Sequence, residues 1–553
     1  MKRTLALICA LTLLLASAAS ALTLSEPGTL PLVTEEATIT IGLPLQADCT
    51  DYYDNEFTHM VEEKTGVTLS FELLPTDGGE AKQKISLMIS ANQKLPDILQ
   101  VGLSDSEISA YGAAGVFVPL NDYLENEAVF FHEACDKWLT EQEYANLMNY
   151  GKALDGNIYG MPSYSITIDS TSALGMWINK SWLDKLGLEV PKTTEELYNV
   201  LVAFRDGDPN GNGLKDEIPL VGATGWVGNV VQELLNSYLY YCYTGAYGYQ
   251  LNAQEGQLIA PFTQDAFREG IQYVAKLYAE GLISPLSFTQ STAELRAIMT
   301  APNDEDTLVG AFVSHPSPIF GATGDVERVK EYIALPAMIG PEGVAYTAHE
   351  AGLPTYSLFI TKDSAEPELA FRLLDALREE TLNISSRFGQ QDKDWYYTTE
   401  GNIPVKMEGY SAQFGKLTER PDPWSSANNI IWGTTAFSFL PNKLMGSMTI
   451  PEWPNELRAY QMQTLWYDSV PLRSGKCPEE RPLKIVLTDE ETDRIAEIRN
   501  SIQTFVDDST TRFVTGDLSA EKDWDSYLST LQSIGLEQYM STLQTAYNRM
   551  NGK

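Results

Sequence analysis

Thr38-Ile39-Thr40-Ile41-Gly42-Leu43-Pro44-Leu45 is a β-branched, apolar run of strand length, and its place in the order of neighbouring elements decides the fold. Phe57, Met60, Val61 and Lys64 recur at helical spacing, and Gly66 is placed to stop that helix. Val67 to Leu74 then alternates like a strand, Glu80 to Ala91 returns to a helical pattern, and Pro96 to Val101 reads as a buried strand. Ser104-Asp105-Ser106-Glu107 has capping-box spacing and opens another helix. Strand and helix in strict alternation predict a mainly parallel sheet flanked by helices. Such sheets hold ligands beyond the carboxyl ends of their strands, here near Gln46 to Tyr52 and Gly102 to Asp105.

A second α/β region starts after Tyr159-Gly160-Met161-Pro162. Thr193-Thr194-Glu195-Glu196 caps one helix there, Phe267 to Tyr278 forms an amphipathic one, and Leu308–Val313 and Leu358–Thr361 are extended. The C-terminal region is helical, with Ile495, Ile498, Ile502 and Phe505 on one stripe. No repeat, low-complexity tract or long linker separates the two regions, so the chain is expected to cross between two α/β lobes several times and leave a hinged cleft. The expected division is a signal peptide at 1–21 and a flexible stretch at 22–36. The N-terminal lobe takes 37–165 with about 355–400, and the C-terminal lobe 166–354 with about 401–553.

The chain has 553 residues, 38 Lys+Arg against 75 Asp+Glu, and a formal charge of -37. Nucleic acid and anionic membrane surfaces, which need clustered cations, are poor partners for it. A hydrophobic content of 43% with 10% aromatics excludes disorder. Met1-Lys2-Arg3, the apolar run Leu5 to Leu15 and Ala19-Ser20-Ala21 are the three parts of a secretory leader. Without Lys2 and Arg3 the charge becomes -39. The expected product is exported, periplasmic or extracellular. Cys9 lies within the apolar run and is badly placed for lipidation, so no lipobox is read. Cys49, Cys135, Cys242 and Cys477 are too dispersed for a zinc site, and spacing does not choose among their pairings.

Asp208-Pro209-Asn210-Gly211-Asn212-Gly213-Leu214-Lys215-Asp216-Glu217 places oxygen-bearing side chains at alternate positions around turn-forming glycines, the donor pattern of a calcium loop. One register starts at Asp206 and ends on Glu217 at position twelve; the other starts at Asp208, with Asn210, Asn212, Gly213 and Asp216 at positions three, five, six and nine. A polar Asn-Gly turn without metal is the plainer alternative. Sugar sites need aromatic platforms together with amides and carboxylates. Tyr52, Tyr164, Trp177, Trp226, Trp395, Tyr396 and Trp432 lie in loop-like segments, with Trp424 beside them, and Asp51, Asp105, His315 and Asn429 are polar candidates. Trp182 and Trp524 sit on helix stripes and read as core. No GxSxG, HExxH or GxxxxGK[ST] motif occurs, and His59, His132, His315 and His349 do not cluster, so an enzyme is not expected. An exported glycoside hydrolase, with two carboxylates about a scissile bond, is the rival class.

Several blocks carry a family resemblance. They are Asn179-Lys180-Ser181-Trp182-Leu183-Asp184-Lys185-Leu186-Gly187-Leu188 with Pro191 to Leu197, Lys276 to Ile283, Ile360 to Asp375, and Arg512 to Gly516 with Asp523 to Tyr527. In this order and spacing the chain resembles the extracellular solute-binding proteins of carbohydrate ABC importers, in the large subgroup that includes alginate-oligosaccharide binders. The resemblance implies a type II-like, two-lobed periplasmic-binding-protein fold, an oligosaccharide ligand, and delivery to an ABC permease by a monomer. It favours the second calcium register and implies a structural Ca2+ held by Asp208, Asn210, Asn212, Asp216, Glu217 and the Leu214 carbonyl. It departs from the family at Gly389 to Tyr397, where a Gly-x-Glu-Gly-x-x-Tyr stretch has lost its glutamate and second glycine. The charge points to a neutral glycan rather than an acidic one. A binder of peptides or another polar solute would use the same fold.

Overall fold

The computed structural model describes residues 22–46, 49–164, 175–224, 228–242, 251–300, 307–315, 319–320, 327–348, 354–398, 411–417, 428–449, 469–473, 476–478, 480, 482 and 484–550. In chain order the strands are β1 (Ala37–Pro44), β2 (Val67–Leu74), β3 (Ile98–Gln100), β4 (Met176–Asn179), β5 (Ile218–Val221) and β6 (Asn252–Gln254). They continue with β7 (Gln257–Ile259), β8 (Val309–Val313), β9 (Tyr332–Ala334), β10 (Leu358–Ile360), β11 (Trp395–Tyr397) and β12 (Phe414–Lys416).

The first lobe is built on a sheet of order β10-β3-β1-β2. β1 pairs in parallel with β2 from Ala37↔Val67 to Pro44↔Leu74 and with β3 on its other side, while β10 runs antiparallel at the far edge. Ile39, Ile41 and Leu43 alternate into one core, joined by Phe57, Phe371, Trp395 and Trp432; the opposite face is covered by Ala81, Ile85, Phe117 and Phe359. The helix Glu56–Thr65 starts at Asn55, whose side chain accepts the Phe57 N–H, and ends at Gly66 with φ 72°. Only glycine fits that stop, since a Cβ there would lie 2.4 Å from the Val33 carbonyl oxygen.

The second lobe has a sheet of order β5-β8-β4-β9. Here the expectation of a mainly parallel sheet needs correction. β5 and β8 are parallel, but β4, the first strand after the chain enters this lobe, runs against both β8 and β9. The C-terminal helices Asp489–Thr515, Trp524–Ile534 and Leu536–Met550 close its larger core, contributing Ile495, Ile502, Phe513, Trp524 and Leu543.

Core membership redraws the division of the chain. Phe414, Trp432, Phe437, Phe439, Leu444 and Met448 are buried in the first lobe, so the described residues 411–449 pack there and not in the second. Residues 22–36 are likewise not a loose arm. Leu32 and Val33 are buried in the first lobe, Leu24 bridges to Val33, and the Leu32 N–H donates to the Thr65 carbonyl at 2.8 Å. The apolar pair Leu32-Val33 is what secures the stretch. Along the chain, Tyr164, Tyr356 and Met448 thus belong with the first-lobe core, and Met176, Ala348 and Ile485 with the second.

In the second lobe stands Arg473, 1% exposed. Its Nη2 donates to the Met176 carbonyl at 2.6 Å, its Nε to the Leu335 carbonyl at 3.3 Å, and its guanidinium lies 4.3 Å over the Trp177 ring. The Thr347 hydroxyl donates to the Arg473 carbonyl at 3.0 Å. One residue thus gathers β4 at Met176, the end of β9 at Leu335, and Thr347. Gly175 makes room for it, because a Cβ there would fall 1.6 Å from Nη1.

Candidate ligand and cation sites

The loop after the helix Thr194–Asp206 leads into β5 and turns through left-handed conformations at Asp208 (φ 47°), Gly211 (82°) and Gly213 (75°). Asp208 accepts the N–H groups of Gly211 at 3.0 Å and Gly213 at 3.1 Å. Asn210 Oδ1 accepts from the Asn212 N–H, and Asn212 Oδ1 from the Leu214 N–H at 2.7 Å. Both asparagine amides donate to Asp216, at 3.1 Å each. Lys185 Nζ anchors the turn on the Pro209 carbonyl at 2.8 Å. Glu217 is different: its Oε1 is buried without a hydrogen-bond partner. Burial, then the nearby Asp216 and Asp208, push its carboxyl above the ordinary range. Among the described residues no three Asp, Glu, His or Cys side chains gather at a spacing that could hold a metal.

The proposed cleft residues divide by burial. Trp177, Trp395 and Trp432 are 1%, 0% and 2% exposed, and Tyr52 is 3% exposed. Trp177 stacks on Phe312 at 5.5 Å. Trp432 donates its Nε1–H to Thr58 Oγ1 at 2.8 Å amid Phe57, Phe71 and Phe437. Trp395 donates to the Gly389 carbonyl at 2.9 Å. These rings are core in this conformation and have no open face for a sugar. Tyr164 is half-buried, edge-on to Phe439 at 5.6 Å, and burial pushes its hydroxyl up to about 12. Tyr396 and His315 are also half-buried. Trp226, Trp424 and His349 lie outside the described residues.

Asp51 is exposed on the loop beyond β1. Its carboxylate accepts the N–H groups of Tyr53 and Asp54, and its own N–H donates to Asn429 Oδ1 at 2.9 Å. The Glu56 N–H donates to the Asn429 carbonyl at 2.8 Å, and Asp54, Glu56, His59, Asn428, Asn429 and Ile430 line a hollow of about 370 Å³. A second hollow, of about 380 Å³, lies in the other lobe at the carboxyl end of β5.

Asp105 sits in the first turn of the helix Asp105–Ala113, beyond β3, and is engaged across the lobe boundary. Lys484, from the segment before the long C-terminal helix, places Nζ 2.8 Å from Asp105 Oδ1, donates to the Tyr150 carbonyl at 2.6 Å, and lies 4.5 Å over the Tyr150 ring. Ile485 and Leu487 next to it belong to the second-lobe core, so this cation ties the lobes together. The sequence offered no sign of it, because a lone lysine before a helix reads as surface. Arg473 was equally silent.

A model of the bacterial extracellular solute-binding protein family matches residues 38–382. The fructooligosaccharide ABC transporter substrate-binding protein FusA of Streptococcus pneumoniae is 26% identical over 504 residues, 88% of this chain and 86% of that protein. The structure of an HMO-binding, ABC-transporter-associated solute-binding protein from Bifidobacterium longum infantis superposes with a TM-score of 0.72 at 19% identity, covering 94% of this chain and 99% of that one. The alginate-binding protein AlgQ2, solved without calcium ion, gives a TM-score of 0.60 at 21% identity over 93% and 99%. The structural likenesses show the shared two-lobed fold.

Proposed function

Because the chain belongs to the bacterial extracellular solute-binding protein family, we propose that it is an exported receptor that captures an oligosaccharide between its lobes and delivers it to an ABC permease. The family is one of binding proteins, and no catalytic step is assigned to this member. The observation that carries the reading is two lobes, each with its own sheet and core, to which the described chain contributes alternately. That architecture permits hinge closure on a ligand. FusA is named for fructooligosaccharides, and AlgQ2 for alginate. For this chain a neutral glycan is favoured, since a net charge of -37 gives no steering toward a polyanion. The half-buried and exposed candidates Asp51, Asp105, Tyr164, His315 and Tyr396 are the described side chains best placed to meet it.

The loop 208–217 is assigned to a structural calcium. Asp208, Asn210, Asn212, Asp216, Glu217 and the Leu214 carbonyl are all hard oxygen donors. The buried, unpartnered Glu217 Oε1 and the Glu217 carboxyl, raised first by burial and then by Asp216 and Asp208, support a cation at this loop. Both asparagine side chains would turn their NH2 groups away from Asp216, and their carbonyl oxygens, which accept the Asn212 and Leu214 N–H groups, toward the ion. FusA has also been solved as an EF-hand mutant.

Isothermal titration of the mature protein against kestose, maltotriose, cellotriose and lacto-N-tetraose tests the receptor reading, with tri- and tetrapeptides alongside. Micromolar or tighter binding of one glycan supports it. Heat from peptides alone, or release of reducing ends on incubation, would replace it with the peptide-binder or hydrolase reading.

A further inference from the structure

The second-lobe hollow of about 380 Å³ has a composition that a cleft wall alone does not explain. Besides Tyr241, it is bounded by four separate pieces of chain. These are the exit of β5 at Ala223 and Thr224, the start of the helix Val230–Leu235, the turn Pro285–Phe288, and the middle of the helix Asp489–Thr515. Two polar atoms in its wall are buried without hydrogen-bond partners: Gln232 Oε1, on a residue 1% exposed, and Thr510 Oγ1. They come from elements far apart in sequence, so no local turn explains them, and a buried polar atom without a partner is costly to retain. Tyr241 and Phe288 supply apolar surface, and Asp507 is the charged residue of the lining.

We propose that this cavity is a second-lobe pocket for one neutral sugar unit. Gln232 Oε1 can only accept, whereas Thr510 can donate or accept. Vicinal hydroxyls answer both, donating to the amide oxygen and accepting from the threonine, while the carbon framework lies against Tyr241 and Phe288. The volume is far beyond one water, whose share of the liquid is about 30 Å³, and falls in the range of small-ligand pockets. The described lining residues include no Lys or Arg to receive a carboxylate or sulfate. The lining contains no first-lobe residue, so the pocket does not depend on closure. The proposal rests on the oligosaccharide-receptor reading and adds where one unit of that glycan is held.

The test uses the full mature protein and the glycan from the four-member panel that the parent binds most tightly. Gln232→Leu and Thr510→Val should each weaken that glycan at least tenfold, whereas Thr510→Ser, which keeps the hydroxyl, should return to within threefold of the parent. A crystal structure of the parent complex should show a sugar ring between Gln232 and Thr510. Parent-like affinity in both apolar variants, or a cavity holding only water in that crystal, overturns the pocket while leaving the receptor reading intact. A parent that binds no panel glycan sinks the receptor reading and the pocket with it.

Discussion

Replacing Arg473 with Met should loosen the second lobe and leave the first untouched. The guanidinium is buried, and burial pulls its pKa down to about 10 despite the opposing charge of Glu233. Removing it forfeits two hydrogen bonds from a charged donor, about 1.5–3 kcal/mol each. The contact with Trp177 adds about 2 kcal/mol where desolvated. Against that stands relief from burying a cation, about 3 kcal/mol for a shift of this size. Met176 keeps another partner, because its carbonyl also accepts the Leu335 N–H at 2.9 Å. The net loss is about 2–5 kcal/mol by these magnitudes. Hydrogen–deuterium exchange read by mass spectrometry resolves it. Peptides containing β4 and β9 should exchange roughly a hundredfold faster, since about 1.4 kcal/mol is worth a factor of ten. Peptides containing β1 are the internal control. Less than threefold acceleration in β4 and β9, or equal acceleration in β1, would refute the role given to Arg473. Gly175→Ala, which drives a methyl into the guanidinium, should act in the same direction.

Calcium at a hundredfold excess over its dissociation constant should stabilise by about 2.7 kcal/mol, raising the second-lobe melting temperature by about 5–11 °C over EDTA-treated protein. A paired Asp216→Asn, Glu217→Gln variant should lose that shift, and an EDTA-insensitive parent would dismiss the ion. Lys484→Met removes the tie from Asp105 and Tyr150, so double electron–electron resonance between labels on the two lobes should give a broader distance distribution than the parent; an unchanged distribution would rule out a tethering role. Asp375 is buried, which raises its carboxyl to about 6 although the Phe130 and Phe131 N–H groups and Arg378 favour the ionised form. The folded protein therefore holds this proton more tightly than the unfolded chain, and stability from this group rises as pH falls from about 6 toward 3.8, by up to roughly 3 kcal/mol. Asp375→Asn should flatten the difference in urea midpoint between pH 7 and pH 4.5, and an undiminished difference would show that other groups carry it.

Local chemistry was legible in the sequence wherever neighbours in the chain decide the outcome. Ser104 with Glu107, and Thr193 with Glu196, form the expected capping boxes, and Gly66 stops its helix in the left-handed region. Trp182 and Trp524, expected in cores from their helix stripes, are buried. What was not legible depends on contacts between distant segments. Trp395, which opens the short strand β11, and Trp432 lie in segments whose sequence looks like binding loops, yet their indole N–H groups are satisfied by Gly389 and Thr58, and their rings by aromatic neighbours. The lobe to which residues 411–449 belong was hidden for the same reason, since Phe414 and Phe439 meet partners from α/β elements hundreds of residues earlier.

The acidic balance of the chain bears on the ligand through particular residues. A uronate or sialylated glycan would need a cation to receive its carboxylate, and two of the described cations, Lys484 between the lobes and Arg473 within the second, are committed. Lys484 is held by Asp105 and the Tyr150 carbonyl, and Arg473 by two backbone carbonyls and the Trp177 face. Releasing either would uncover a buried acceptor or an unpaired carboxylate, a cost that a solvent-exposed ion pair with a sugar acid does not recover. In the pocket proposed at the end of β5, the amide oxygen and hydroxyls would take hydroxyl donors. On the proposed reading, the net charge and the proposed pocket both favour an uncharged glycan recognised by its hydroxyl groups and ring faces.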